Sequence, residues 1–495
     1  WRRIEKFPGV PDMTYVSRLV ASSHDKGTVY AAFDNHKMGD FAPYLLRSDD
    51  EGRTWRSIAG DLPKRGTVYA LAEDPVDGKL LFAGNEFGLF FTKDGGNRWI
   101  ALKGGLPTIE VRDLAIQKRE NDLVAATFGR GFYVLDDYTP LRGATSEMLE
   151  KEAVLFPVKP ARVTMPKAPL GLPGKAFQGD AFYAAPNPPF GAVFTYYLKE
   201  ELKTRKEARH EREKKIDKEG GDMPFASLSD LRAETAEEEP SLIFTITDSD
   251  GNVVRRLTAK GEKGVHRIAW DLRYPAAVPT SLKPPSADPF APPPTGPMVV
   301  PGRYTVALAK RVEGKLVPVG EPRTFEASGV GTIPEKDRAA LLAFELKTAR
   351  LQRAVRGAGE VVDEVHERLE HIKRSLLDTP GKDTASLGAD ARAIEERLRD
   401  IDTKLRGDRV AARYEMPTAP SITDRVEGIV GTQWTATSAP TGTSVDAYSI
   451  AADDFGAQLA ALRTLVGKDL KALEDKMEGA GAPYTPGRLP DWKKE

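Results

Sequence analysis

The chain has 495 residues, with 72 basic side chains against 73 acidic ones and no cysteine. That balance offers nucleic acid or an acidic membrane no electrostatic handle, so neither is expected as a partner, and the missing thiols exclude disulfides, thiolate nucleophiles and cysteine-ligated zinc. The length calls for about three domains, hydrophobic content of 40% is ordinary for globular material, and no apolar run approaches the roughly 20 residues that span a bilayer.

From residue 1 to about 140 the chain predicts strands and turns. Thr28–Phe33, Thr67–Ala72, Leu80–Ala83, Leu89–Phe91 and Leu123–Ala126 are short apolar runs bounded by Gly, Asp, Asn or Pro. Two copies of one motif punctuate them. Ser48-Asp49-Asp50-Glu51-Gly52-Arg53-Thr54-Trp55 and Thr92-Lys93-Asp94-Gly95-Gly96-Asn97-Arg98-Trp99 both fit (S/T)-x-D-x-G-x-x-W and stand 44 residues apart. Each leads to a Leu-Pro, Leu62-Pro63 and Leu106-Pro107. A period of this size marks a repeat architecture with one four-stranded sheet per unit. Trp1-Arg2-Arg3-Ile4 aligns with Trp55-Arg56-Ser57-Ile58, so the chain is expected to open inside a unit whose start lies elsewhere. The insertion Asp34–Tyr44 stretches the first spacing to 54 and is expected in a loop on a binding face, which makes His36 a candidate binding residue. A third unit, Asp122–Asp137, keeps the strands, loses the motif, and reads as the last blade of an array. Propellers need about 4–8 blades. The remainder is expected from N-terminal sequence on the same or a separate chain.

Residues 141–186 read as a Pro- and Gly-punctuated connector. Over 187–330 strand patterns return at Ala192–Leu198, Ser241–Ile246, Gly264–Leu272 and Gly302–Leu308, with polar turns, and predict an Ig-like β-sandwich. It carries a charged insertion over 199–239, expected as a solvated helix or disordered loop. Its second interruption is a loop over 275–301 that holds ten prolines, a stiff excursion or a Pro-rich ligand for an adaptor domain.

Over 331–495 the period becomes helical. Leu351, Val355, Ala358, Val362, Val365, Leu369, Ile372 and Leu376 step by four and three along one helix; Leu387, Ala391, Ile394, Leu398, Ile401 and Leu405 mark a second, ending at Gly407. A third is predicted from about Val445 to Met477 with Phe455, Leu459, Leu462, Val466, Leu470 and Leu473. Pro380-Gly381 makes the first two antiparallel neighbours in a helical bundle.

The motif residues Ser48, Asp50, Gly52, Trp55, Thr92, Asp94, Gly96 and Trp99 read as structural. Asp accepts backbone N–H groups that a hairpin turn leaves unpaired, Gly supplies positive φ, and Trp buries ring area. A ligand contact is the alternative role. Six histidines show no ligand spacing, and the turn at Asp248 imitates a calcium loop but has Ala259 where a glutamate belongs, so no metal and no cofactor is expected. Arg130 and Tyr133 form a suggestive pair near Phe128-Gly129-Arg130-Gly131 and are further binding-loop candidates, but a sialidase needs three arginines, a tyrosine nucleophile and an acid. No catalytic residue can be assigned.

These motifs resemble Asp-boxes, the bacterial neuraminidase repeats, and their period is similar to that of sortilin-type propellers and of xyloglucanase- and sialidase-like proteins. Thr127-Phe128-Gly129-Arg130-Gly131-Phe132-Tyr133-Val134-Leu135-Asp136-Asp137 resembles the T-H-G-R-G-I-W-V-L-D-D segment of large bacterial sortilin-like proteins, with Phe128 where that pattern usually has His. Trp270-Asp271-Leu272-Arg273, Pro301-Gly302-Arg303-Tyr304-Thr305-Val306 and Gly481-Ala482-Pro483-Tyr484-Thr485-Pro486-Gly487-Arg488 resemble later segments of the same family. The resemblance implies its C-terminal half: a mainly β chain with a C-terminal all-α part, comprising a partial Asp-box β-propeller, an Ig-like β-sandwich and a helical bundle. It further implies an extracellular or periplasmic protein that binds protein or carbohydrate without catalysis. A glycoside hydrolase with its active site on other blades is the alternative, as is an oligomeric or structural subunit docking through its helical bundle.

Overall fold

The computed structural model describes residues 3–166, 179, 181–284, 288, 293–329, 335–381 and 384–494. Trp1, parts of the 141–186 connector and of the Pro-rich loop, and the start of the helical part at 331–334 lie outside the described residues. The chain divides into two compact units, Trp1–Phe156 and Pro157–Glu495.

In the first unit, β1 (Tyr15–Ala21), β2 (Val29–Asp34), β3 (Tyr44–Ser48) and β4 (Arg56–Ser57) form an antiparallel meander in that order. β5 (Val68–Glu73), β6 (Leu81–Asn85), β7 (Gly88–Thr92) and β8 (Ile100–Ala101) repeat it. A third sheet holds β9 (Val111–Gln117), β10 (Asp122–Thr127) and β11 (Phe132–Leu135). The registers are equivalent: Tyr15 faces Asp34, Val68 faces Asn85, and Val111 faces Thr127. The β2–β3, β6–β7 and β10–β11 connections therefore share one end with the starts of β1, β5 and β9. The β3–β4 and β7–β8 turns, which carry the repeated motif, lie at the other.

Strand alternation builds the layers between these sheets. From β6, Leu81 and Ala83 enter a core with Tyr30, Leu45, Ile58 and Val68 of neighbouring strands, while Phe82 enters a second with Val111, Leu114 and Leu123. β6 is thus buried on both faces, which explains its unbroken apolar sequence.

The connector contains more structure than its sequence suggests. α1 (Pro140–Gly143), α2 (Ser146–Glu150) and β12 (Ala153–Leu155) close the first unit, and β13 (Ala161–Val163) opens the second. Elements of three to five residues are too short to display a period, so the sequence shows only the Pro and Gly punctuation between them.

In the second unit, β14 (Ala192–Leu198) leads to α3 (Arg205–Lys218) and α4 (Leu228–Ala236), which occupy the charged insertion. Thr204 and Glu207 form a capping box that starts α3 despite its lack of an apolar face. β15 (Ser241–Thr247), β16 (Val253–Lys260), β17 (Gly264–Trp270), β18 (Gly302–Val312), β19 (Lys315–Pro318) and β20 (Arg323–Gly329) follow. β14 pairs with β17, and a six-stranded sheet runs β13-β20-β18-β15-β16 with β19 on β18. Aromatic rings join the two sheets: Phe194 stacks on Phe244 at 6.3 Å, and Trp270 meets Tyr304 edge-on at 5.5 Å.

The helical part comprises α5 (Glu335–Leu377), α6 (Thr384–Arg406), α7 (Arg409–Arg413), α8 (Ile422–Gln433), α9 (Gly442–Thr464), a π-helical turn (Leu465–Leu470) and α10 (Lys471–Gly479). Val355 to Leu376 and Leu387 to Leu405, the predicted seam residues, are buried in one cluster, with Leu351 packed against it. The third predicted helix needs correction. Its core passes through Leu462, Leu465, Leu470 and Leu473, with Val466 only partly buried, and the π-helical turn absorbs the five-residue step that a regular α-helix would rotate out of the core.

Candidate binding face

At the motif end the carboxylates are committed to their own turns. Asp50 Oδ1 accepts from the Ser48 hydroxyl at 2.8 Å and from the Arg53 and Thr54 N–H groups at 2.9 and 2.8 Å; its Oδ2 accepts from the Thr54 hydroxyl at 2.7 Å. The Thr54 N–H, then the Thr54 hydroxyl, holds this carboxyl far below the usual carboxylate range. Asp94 repeats the arrangement with Thr92 at 2.7 Å, Asn97 at 2.9 Å and Arg98 at 3.0 Å. Burial works against ionisation there, and the Arg98 N–H and Thr92 hydroxyl outweigh it and lower the value. The Ser48 and Thr92 hydroxyls in turn accept from the Gly52 and Gly96 N–H groups, at 2.8 and 3.1 Å. Gly96 has φ of 101°, and a Cβ there would stand 2.7 Å from the Ile58 backbone oxygen, so glycine is required on both counts.

The two tryptophans differ. Trp99 is buried between sheets and donates its indole N–H to the Ile58 carbonyl at 2.9 Å, and its backbone N–H to Asp61 at 2.5 Å. Trp55 is half-buried against Phe7 and donates to Gly52 of its own turn at 3.2 Å. The second motif therefore clamps its sheet to the one before.

The opposite end is built differently. Arg112, at the start of β9, lies over the Tyr69 ring at 4.0 Å and the Phe128 ring at 5.3 Å, and its guanidinium pairs with Glu110. Phe128 is 67% exposed. Three polar atoms at the ends of β5 and β6, Thr67 Oγ1, Asn85 Nδ2 and Glu86 Oε2, are buried and paired with no protein group among the described residues. Exposed Tyr15 and Phe87 lie in the same register zone.

The insertion over 34–44 is ordered by its own contacts. Asp34 accepts from the His36 N–H at 3.0 Å and sits 2.6 Å from its Nδ1. Asp40 accepts from the Tyr44 hydroxyl at 2.6 Å and the Asn35 amide at 2.9 Å. The Tyr44 hydroxyl, ahead of Asn35, lowers the Asp40 carboxyl, while burial and then Asp40 push Tyr44 up to about 12. Arg65 covers the Phe41 ring at 4.6 Å, tying the insertion to the approach to β5. Of the three loop candidates, His36 and Arg130 lie in connections at this end. Tyr133 does not: it sits inside β11 opposite Ala125, because the turn closes earlier, with Thr127 donating to the Gly131 carbonyl at 3.0 Å.

Sequence reasoning missed both the Tyr69–Arg112–Phe128 stack and a buried ionic centre. Asp74, 0% exposed, accepts from the Tyr138 hydroxyl at 2.7 Å, from Arg142 Nη2 at 2.7 Å, and from the Val76 and Asp77 N–H groups. Burial opposes its charge, and Arg142, then Tyr138, hold its carboxyl below the usual range. Only the departure at Phe128 was visible beforehand. In the helical part, His366, Glu370 and Glu395 bring ligand atoms within 4.8 Å of one another. The Lys373 ammonium already bridges the two carboxylates, at 2.6 and 3.1 Å, and supplies their counter-charge.

No protein-family model matches the chain and no curated protein matches it. Among solved structures it is similar to an ancestral GH74 enzyme at 24% identity, over 23% of this chain and 14% of that one, with a TM-score of 0.20. It is similar to the GH74 xyloglucanase from Xanthomonas campestris at 13% identity, over 61% of this chain and 38% of that one, with a TM-score of 0.21. YCF48 bound to D1 peptide is similar at 18% identity, over 27% and 41%, with a TM-score of 0.18. The chain spans less than half the length of each.

Proposed function

We propose that this chain is a non-catalytic recognition protein whose first unit binds a protein segment or a glycan at the end opposite the repeated motifs. The reading rests on the Tyr69–Arg112–Phe128 stack, in which an exposed Phe128 and a part-exposed Arg112 lie over a buried Tyr69, beside the unpartnered polar atoms of Thr67, Asn85 and Glu86. Stacked aromatic and arginine side chains offer flat contact area at little entropic cost, and buried polar atoms without partners favour a ligand that brings hydrogen-bonding groups. Of the nearby carboxylates, Asp34, Asp40, Glu110 and Asp113 each have a cation or hydrogen-bond donor already, and Glu86, with one unpaired oxygen, is a single carboxylate where a glycosidase uses a pair.

In this reading Ser48, Asp50, Gly52 and Trp55, and Thr92, Asp94, Gly96 and Trp99, are structural members of Asp-boxes. The sheets of residues 1–140 act as blades of a β-propeller completed by further blades on the same or another chain. A connector (141–186), an Ig-like β-sandwich (187–330) and a helical bundle (331–495) follow, in an extracellular or periplasmic protein. The test is binding of the full chain to arrays of oligosaccharides and of extended peptides. Arg112→Ala and Phe128→Ala are expected to weaken retained binding about tenfold or more each. Undiminished binding by both variants would remove the proposed face, and hydrolysis of aryl glycosides by the wild-type chain would overturn the non-catalytic reading.

A further inference from the structure

The Tyr69 hydroxyl lies within the field of four charged side chains. Asp34 ends β2, Glu86 belongs to the β6–β7 connection, and Glu110 and Arg112 stand at the start of β9. All four act on this hydroxyl, which burial, ahead of the opposing pull of Arg112, pushes up. Three carboxylates thus stand against one guanidinium, and that guanidinium is already engaged. Arg112 Nε and Nη2 both meet Glu110 Oε2, at 2.7 and 2.5 Å.

Asp34 is held by His36, through its backbone N–H at 3.0 Å and its Nδ1 at 2.6 Å. Glu86 has less: its Oε2 is buried and meets no donor among the described residues. The residue as a whole is part-exposed, and rotation of its carboxyl exchanges the two oxygens. A ligand therefore reaches this charge, while water solvates it incompletely. Arg65, over the Phe41 ring, and Arg130, exposed on the β10–β11 turn, pair with neither carboxylate among the described residues. Next to Glu86, Asn85 is 0% exposed and its Nδ2 also lacks a partner. A Cβ on Gly66 would stand 2.8 Å from Asn85 Nδ2 and 3.3 Å from the Phe87 ring, so exposed Phe87 flanks the same spot.

Given the binding face proposed above, on which this assignment rests, we propose that its ligand is an extended protein segment that places one lysine or arginine at Glu86 and Asp34. The charged head sits by the Tyr69 hydroxyl and the alkyl stem lies on Phe87. A cation balances the two carboxylates, whereas the hydroxyls of a neutral glycan leave their charge uncompensated. Arg112 covers a face of both the Tyr69 and the Phe128 ring, so these two rings leave no open pair to clamp a sugar. An extended backbone offers N–H and C=O groups in alternation, the partners that Thr67 Oγ1 and Asn85 Nδ2 lack.

The test is retention of the full chain on arrays of acetylated, amidated octapeptides, one position fixed as Lys, Arg, Gln or Glu and the others randomised, at about 0.15 M salt. Wild type should favour Lys or Arg over Gln about tenfold or more at one position, and reject Glu. Glu86→Gln should cut that preference to about threefold or less, and Asp34→Asn should lower it too. Glu51→Gln, in the β3–β4 turn at the opposite end, should keep it. A wild-type preference below about threefold, or one that survives Glu86→Gln, would overturn the lysine–arginine site and leave the binding face standing. An equal loss in Glu51→Gln would do the same, by showing general charge attraction. Retention on oligosaccharide arrays without any on peptides would also overturn this site alone. No retention on either removes the face and the site together. If Glu86→Gln misfolds by circular dichroism, Asp34→Asn against Glu51→Gln decides.

Discussion

Trp99→Ala should be far more damaging than Trp55→Ala, although both residues close the same motif. Trp99 is buried among Ile58, Leu62 and Leu81 of two sheets, and its indole N–H is the partner of the Ile58 carbonyl. Truncating a buried tryptophan costs about 3–5 kcal/mol in lost contacts and cavity. Stranding the Ile58 carbonyl adds about 1 kcal/mol, giving about 4–6 kcal/mol. Trp55 is half-buried and bonds within its own turn, so its truncation should cost only about 1–2 kcal/mol. Trp99→Phe retains most of the ring area and should fall between, near 2 kcal/mol. Hydrogen exchange followed by mass spectrometry on the full chain reads this locally. Amides of β5–β8 should exchange about a thousandfold faster in Trp99→Ala, and those of β3 and β4 no more than about thirtyfold faster in Trp55→Ala. Losses equal within about 1 kcal/mol would refute the claim that the second motif joins two sheets while the first serves its own turn.

Other consequences are equally direct. Arg142→Met leaves Asp74 charged and buried, and should destabilise the Asp74–Leu80 turn and α1 by about 3–5 kcal/mol in the same exchange experiment. Asp50 has a folded-state value below its unfolded one. Its contribution is therefore complete above about pH 4 and is lost as pH falls toward the lower folded value, and Asp50→Asn should flatten acid-induced opening of the β3–β4 turn. Gly191→Ala combines φ of 99° with a Cβ placed 1.9 Å from the Trp270 carbonyl oxygen, and should cost about 2–4 kcal/mol, measured by urea unfolding of the second unit.

What could be read from the sequence was whatever repeats or has a period. The motif spacing located both turn-and-tryptophan units, and the steps of three and four along α5 and α6 identified a buried seam because each position sees the same core. α8 escaped, although Ser421 and Asp424 form a capping box and Ile422, Val426 and Ile429 are buried, since four apolar positions in twelve residues are a weak signal. The π-helical turn escaped because a five-residue step looks like the end of a pattern. Asp74 escaped for another reason: its partners Tyr138 and Arg142 are 64 and 68 positions away, and locally it is one more acidic turn residue. The Arg112 stack joins Tyr69 of β5 to Phe128 of the β10–β11 connection, a grouping across two sheets that only topology creates.

The account's central claim is that the loop end of the first unit binds a ligand and leaves it intact. Its most direct test is a hydrogen-exchange footprint of the full chain with an array-selected oligosaccharide or peptide, the ligand recovered afterwards for mass measurement. The account predicts protection confined to Asp34–Tyr44, Thr67–Tyr69, Asn85–Gly88, Glu110–Arg112 and Thr127–Gly131, with the ligand recovered unchanged. Protection centred on Ser48–Trp55 and Thr92–Trp99, or a ligand recovered cleaved, would contradict it.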